Sequence, residues 1–162
     1  MTDAEHSGIA GHSVILYDGV CGLCNRVVQR LLRLDRAGHL RFVPLKSPLG
    51  IEMLGQCSPP PALSSRPEPE GVILIADALT PHQKIYRRFD AVGRALRRIP
   101  GPYPALGALL RLVPRFLREW VYSIIARNRY RIFGRFESCP IPTPDQRSRI
   151  LGIYNHSCFI GQ

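Results

Sequence analysis

Cys21 and Cys24, in the run DGVCGLC at 18–24, are the residues of this chain whose type and spacing best fit them for chemistry. Thiols three residues apart can close a disulfide on each other and so exchange electrons in pairs; as thiolates they can instead hold a metal ion. The preceding run, SVILY at 13–17, is apolar and rich in β-branched and aromatic residues, and an Asp-Gly pair ends it, as expected of a buried strand meeting a turn. A helix is then expected from about Cys21. Its first free N–H groups and the positive end of its dipole face the Cys21 sulfur, an environment that favours the thiolate. Cys24 lies one turn further along, on the side of Val27 and Val28. The pattern therefore splits the pair into an exposed nucleophile, Cys21, and an inner resolving thiol, Cys24.

Other uses of the pair can be weighed on residue types. Haem attachment needs His after the second cysteine, and residue 25 is Asn. A structural zinc site needs two more ligands, which only the loosely spaced Cys139, His156 and Cys158 could supply, so that alternative stays open. Asp18 has two readings. It can end the strand and hydrogen-bond the turn, or it can exchange a proton with the dithiol, chiefly with Cys24, at the expense of raising a thiol pKa. Cys57 borders a Pro-rich loop, Cys139 precedes Pro140 and Cys158 lies in the tail. An odd cysteine count, behind an N-terminus with neither a basic start nor an apolar stretch, argues against a structural disulfide set and points to the cytosol.

The elements that must hold the pair follow from periodicity. Residues 1–12 read as a polar, disordered arm. In the helix over 21–36, Val27, Leu31 and Leu34 form a stripe with Val28 and Leu32 beside it, while Arg26, Arg30 and Arg33 lie outside it. Strands are expected at 41–45, where Pro44 suits a strand end, at 72–76 (VILIA) and, shorter, at 84–86. A short helix over 47–56 and a loop over 57–71 (CSPPPALSSRPEPEG) separate the second and third strands. The first 45 residues thus give strand, helix, strand, the βαβ pattern of an α/β domain with a small mixed sheet. Helices follow over 89–98, over 105–112 and from Pro114 onward, where Phe116, Leu117, Trp120, Val121, Ile124 and Ile125 recur at helical spacing. A capping box at Thr143–Gln146 opens a last helix ending near Gly152, and 153–162 reads as a tail.

Length and charge bound the rest. The chain has 162 residues, 45% of them hydrophobic, enough for one core and too apolar for a disordered chain. Two Lys and 20 Arg against 12 acids give a net charge of +10. Seven Arg and one Glu fall between Ala105 and Arg135. That stretch, with Trp120, Tyr122 and Tyr130, could meet an anionic membrane surface or, less favourably, nucleic acid, though the uncharged run from Trp120 to Ala126 interrupts any continuous basic face. The ordinary alternative is an amphipathic helix with its apolar side on the core and its Arg in water.

Taken together, VILYDGVCGLCNRVVQRLL, RFVPL and YSIIARNRYRIFGR followed by Cys139-Pro140 resemble the DCC family of predicted thiol-disulfide oxidoreductases, over about residues 13–152. The resemblance implies a thioredoxin-like core and puts Asp18, Cys21 and Cys24 at the site. It implies no known substrate; the paired thiols themselves lead to the expectation of disulfide exchange with a protein or small-molecule thiol, with an external electron donor and no bound cofactor. Gly22-Leu23 stands between the cysteines where thioredoxin has Gly-Pro, and Pro69 falls near the place of thioredoxin's cis-proline.

Overall fold

A computed structural model describes residues 3–55, 71–136 and 143–153. Cys57, Pro69, Cys139, His156 and Cys158 lie outside them, so the expectations attached to these residues, the zinc ligands included, are not addressed by the structure.

The βαβ unit forms where the periodicity places it. Strand β1 (Ser13–Tyr17) is buried along its whole length, as expected of an apolar run covered on both faces. Helix α2 (Gly22–Leu34) buries Cys24, Val28, Leu31 and Leu32, one face at i, i+4, i+7 and i+8. It returns the chain to β2 (Leu40–Pro44), which pairs parallel to β1. Buried Asp35 fixes that return by accepting from the His39 and Leu40 backbone N–H groups at 3.0 and 2.8 Å. After α3 (Pro48–Gly55), β3 (Val72–Ala76) runs antiparallel against the other edge of β1, and β4 (Lys84–Arg87) pairs antiparallel with β3. The strand order is β2-β1-β3-β4.

Alternation along β1 divides the core. Ile15 and Tyr17 point to the side of α2 and of α4 (Arg88–Arg98), meeting Val28, Leu31, Phe42, Leu74 and Ala95. Val14 and Leu16 point to the opposite side, against Ile9, Leu49, Met53 and Ile75. Helices thus cover both faces of a four-stranded mixed sheet, a thioredoxin-like arrangement. Helix α5 (Tyr103–Leu112) packs on α4, and the 19-residue α6 (Arg115–Phe133) lies against α2 and α4. Among the described residues no helix is long and apolar enough to cross a membrane.

Three expectations are corrected. The arm expected over 1–12 is ordered from residue 3: α1 (Asp3–Ile9) is helical, and Ile9 is fully buried in the cluster that holds Val14, an apolar contact that docks the helix on the sheet. The last helix is a single turn, α7 (Pro144–Arg147). Its capping box forms, but the chain then leaves the helix so that Ile150 can bridge Phe42 at the edge of β2. Helix α6 departs from an ordinary amphipathic helix. Phe116, Trp120 and Ile124 are exposed, whereas Arg129 is 2% exposed. Polar groups deep in the fold reward that orientation, as the site shows.

Contact between α6 and α2 is close enough to require glycine. A Cβ at Gly22 would stand 2.1 Å from the Phe133 carbonyl oxygen, a backbone atom that cannot step aside alone. At Gly55, in contrast, a Cβ would meet nothing within 4 Å. Gly22→Ala is therefore expected to destabilise the fold by about 1–3 kcal/mol in denaturant unfolding, while Gly55→Ala leaves stability unchanged or slightly raised. Equal midpoints for the two variants would contradict the packing described.

Candidate active site

The site is assembled where β1 ends. Asp18 turns the chain: its Oδ1 accepts from the Val20 N–H at 3.2 Å, and its carbonyl accepts from the Cys21 N–H at 3.2 Å. Asn25 ties the turn to the helix by donating from Nδ2 to the Gly19 carbonyl at 2.6 Å and to the Cys21 carbonyl at 3.1 Å. Cys21, in extended conformation, is the N-cap of α2, and its Sγ accepts from the Cys24 N–H at 3.4 Å. A sulfur thus fills the place that a Ser or Asp oxygen takes at other helix starts. The Cys24 thiol donates to the Gly71 carbonyl at 3.6 Å, at the entrance to β3.

These contacts split the two thiols electrostatically. Hydrogen bonding from the Cys24 side chain, then from the Cys24 backbone, with the Arg129 charge behind, pulls Cys21 down from 9.0 to about 6 against its burial and the opposing Asp18 charge. Cys24 is pushed far up, first by its side-chain hydrogen bond with Cys21, which shares the thiol proton with the Gly71 carbonyl, then by burial and by repulsion from a Cys21 thiolate. At neutral pH the pair therefore carries one thiolate, on Cys21.

Around the pair lies a polar cluster delivered by α6. Arg129 reaches the Cys24 Sγ through Nη1 at 3.8 Å and Asp18 Oδ2 through Nη2 at 2.8 Å. The same Nη2 donates to the Tyr130 hydroxyl at 2.9 Å, and that hydroxyl donates a short hydrogen bond to Asp18 Oδ2. Burial and its bond to Asp18 push Tyr130 up to about 12, so it is a donor throughout the physiological range. Tyr122 accepts from the Gly71 N–H at 3.0 Å, fixing the carbonyl that receives the Cys24 thiol. Asp18 thus holds the turn with one oxygen, as one expectation had it, and with the other meets Arg129, which bridges it to Cys24.

Access differs from expectation. Cys21 is not an exposed sulfur; it and Cys24 are both buried. The covering is the segment after α6. Gly22 N–H donates to the Gly134 carbonyl at 3.1 Å, Phe136 N–H donates to the Val20 carbonyl at 2.8 Å, and Arg135 bridges Cys21 in antiparallel register. Gly134 makes the reversal out of α6 at φ 75°, ψ 167°, a conformation that side chains disfavour. Residues 134–136 form a strap across the cysteines, and a strap from a distant segment is not visible in local patterning.

The structure brings Asp18, Cys21 and Cys24 together as expected and adds Arg129, Tyr130, Tyr122 and Gly71. Counting charge placed Arg129 among surface cations; its clue was its position in the Arg-Asn-Arg-Tyr segment. Among the described residues no three His, Cys, Asp or Glu side chains gather as metal ligands would.

Comparison with known proteins supplies a family. A family model described as DCC1-like thiol-disulfide oxidoreductase matches residues 15–135. An uncharacterised protein of Bacillus subtilis (strain 168), YuxK, is 33% identical over 138 residues, 85% of this chain and 93% of its own length. A chloroplastic DCC family protein of Arabidopsis thaliana is 33% identical over 128 residues, 79% of this chain and 69% of its own. No solved structure matches. Because the matched span runs from β1 through the paired cysteines to the arginine and tyrosine of α6 and the strap beyond, the chain belongs to the DCC1-like thiol-disulfide oxidoreductase family.

Proposed function

We propose that the protein reduces or exchanges disulfides with Cys21 as nucleophile and Cys24 as resolving thiol, acting on a disulfide in a protein or a small thiol compound. The unequal state of the two sulfurs carries this reading: Cys21 is lowered to about 6, and Cys24 is raised and hydrogen-bonded inward. The Cys21 thiolate attacks one sulfur of the substrate disulfide; the S–S bond breaks, the outer sulfur leaves as a thiolate and takes a proton, and a mixed disulfide with Cys21 forms. Cys24 then loses its proton and attacks the Cys21 Sγ, expelling the second substrate sulfur. The substrate has gained two electrons and two protons, and Cys21–Cys24 is oxidised. An external thiol donor reverses these steps to regenerate the dithiol.

Each neighbour has a part in this scheme. Losing its hydrogen-bond partner when Cys21 becomes covalently bound frees Cys24 from the interaction that most raises its pKa. Arg129, already against Cys24, is then the counter-ion for the thiolate that resolves the mixed disulfide, and Asp18 and Tyr130 hold Arg129 in place. The strap at 134–136 has to lift for a substrate to reach Cys21, breaking the two backbone hydrogen bonds that tie it to Val20 and Gly22.

Trapping separates the two roles. Cys24→Ser should accumulate mixed disulfides through Cys21 that are visible by intact mass, while Cys21→Ser traps little. Equal trapping by both variants would reverse or abolish the assignment.

The resolving step tests Arg129. Arg129→Met in an Asp18→Asn background, which leaves no unpaired buried carboxylate, should slow release of substrate from a preformed Cys21 mixed disulfide by about tenfold or more at neutral pH. Arg129→Lys should recover part of the rate. Unchanged release in the Met variant would remove Arg129 from the mechanism.

A further inference from the structure

The outward face of α6 takes no part in the dithiol site. Phe116, Trp120, Ile124, Arg127 and Arg131 follow one another at spacings of four, four, three and four, which places them on a single line along the helix. All five are exposed. The N-terminal half of that line is apolar, with Phe116 at 76% and Trp120 at 62% exposure, and Leu112 at 78% stands just before it at the end of α5. Its C-terminal half is cationic. On its inward side the helix places Arg129 against Asp18 and Cys24, and Arg118 pairs with Asp90 at 2.5 Å. Exposed aromatic and aliphatic side chains grouped on one helix of a monomer mark a contact surface rather than scattered surface hydrophobics.

Charge decides between occupants. From Tyr103 to Phe136 the only acid is Glu119, and it is turned to Arg88 at 2.6 Å. A second copy of the chain would bring its own net charge of +10, and the same arginines, against this face, where α5 and α6 offer no acid besides Glu119. An anionic bilayer surface matches both halves, since aromatic and aliphatic side chains enter the boundary between headgroups and acyl chains while Arg127 and Arg131 meet lipid phosphates. We propose that α6, with the end of α5, docks the protein peripherally on an anionic membrane surface. The helix lies in the interface plane and does not span it, consistent with the absence of a spanning helix among the described residues. The dithiol sits at the C-terminal end of the same helix, under Gly134.

Trp120 is the chain's single tryptophan, so its emission reports this face directly. In the intact protein at low salt, vesicles of mixed phosphatidylcholine and phosphatidylglycerol should shift that emission to the blue and carry the protein in flotation. High salt should weaken the binding, and pure phosphatidylcholine vesicles should bind poorly. Paired Leu112→Ser and Phe116→Ser should lower the partition by about tenfold or more. Arg127→Gln and Arg131→Gln should each lower it by about fivefold. These positions are exposed, so thermal melts of the variants should match the parent. Three results would overturn the proposal. One is no shift or flotation with anionic vesicles at low salt. Another is equal binding to neutral vesicles. The third is a Trp120 already shielded from acrylamide without lipid, whether by a dimer seen in sedimentation or by the chain itself.

Discussion

The buried pairing of Asp18 with Arg129 is the interaction on which the rest of the site depends. One partner closes β1 and the other lies near the end of α6, 111 residues later in the chain. Removing two charges from water is expensive, and their attraction offsets the expense only with good geometry and further hydrogen bonds. Val20 and Tyr130 supply those bonds to the carboxylate, leaving Asp18 well satisfied. Keeping the pair requires α6 to press against the start of α2. It is the reason Gly22 has no room for a side chain, and it carries Gly134 and the strap across the cysteines.

That constraint reaches the dithiol and the surface together. An arginine held between Cys24 and Asp18 sets positive charge beside the Cys24 sulfur, and the Asp18 charge opposes its effect on both thiols. Burial of the pair also fixes the rotation of α6. Once Arg129 points inward, the residues a half-turn away, Phe116, Trp120 and Ile124 among them, point to solvent. The polar cluster around the dithiol and the exposed apolar line are thus two faces of one choice of helix orientation.

How much of this was legible depends on the range over which each signal acts. The apolar run of β1, the stripe of α2, the VILIA strand and the Asp-x-x-Cys-x-x-Cys run are local patterns, and each element formed within a residue or two of its expected place. The capping box at Thr143 formed too, yet its helix stopped after one turn, because pairing of Ile150 with Phe42 is a tertiary contact that no local pattern records. The orientation of α6 was illegible for a related reason. Hydrophobic spacing says which residues share a side, but only a buried partner such as Asp18 says which side faces inward. Cys21 reads as exposed from its place at a helix start, and it is the strap, arriving from beyond residue 133, that buries it.

One fold shifts the ionisation of two neighbouring cysteines in opposite directions. Ultraviolet thiolate absorbance of the reduced protein, followed against pH and assigned with the Cys21→Ser and Cys24→Ser variants, tests it most directly. A group lowered from 9.0 to about 6 ionises as pH rises through 6, so one thiolate, on Cys21, should appear near that pH while Cys24 remains protonated through neutrality. A single thiolate belonging to Cys24, or no thiolate until above about pH 8, the ordinary range of a free cysteine, would contradict the account.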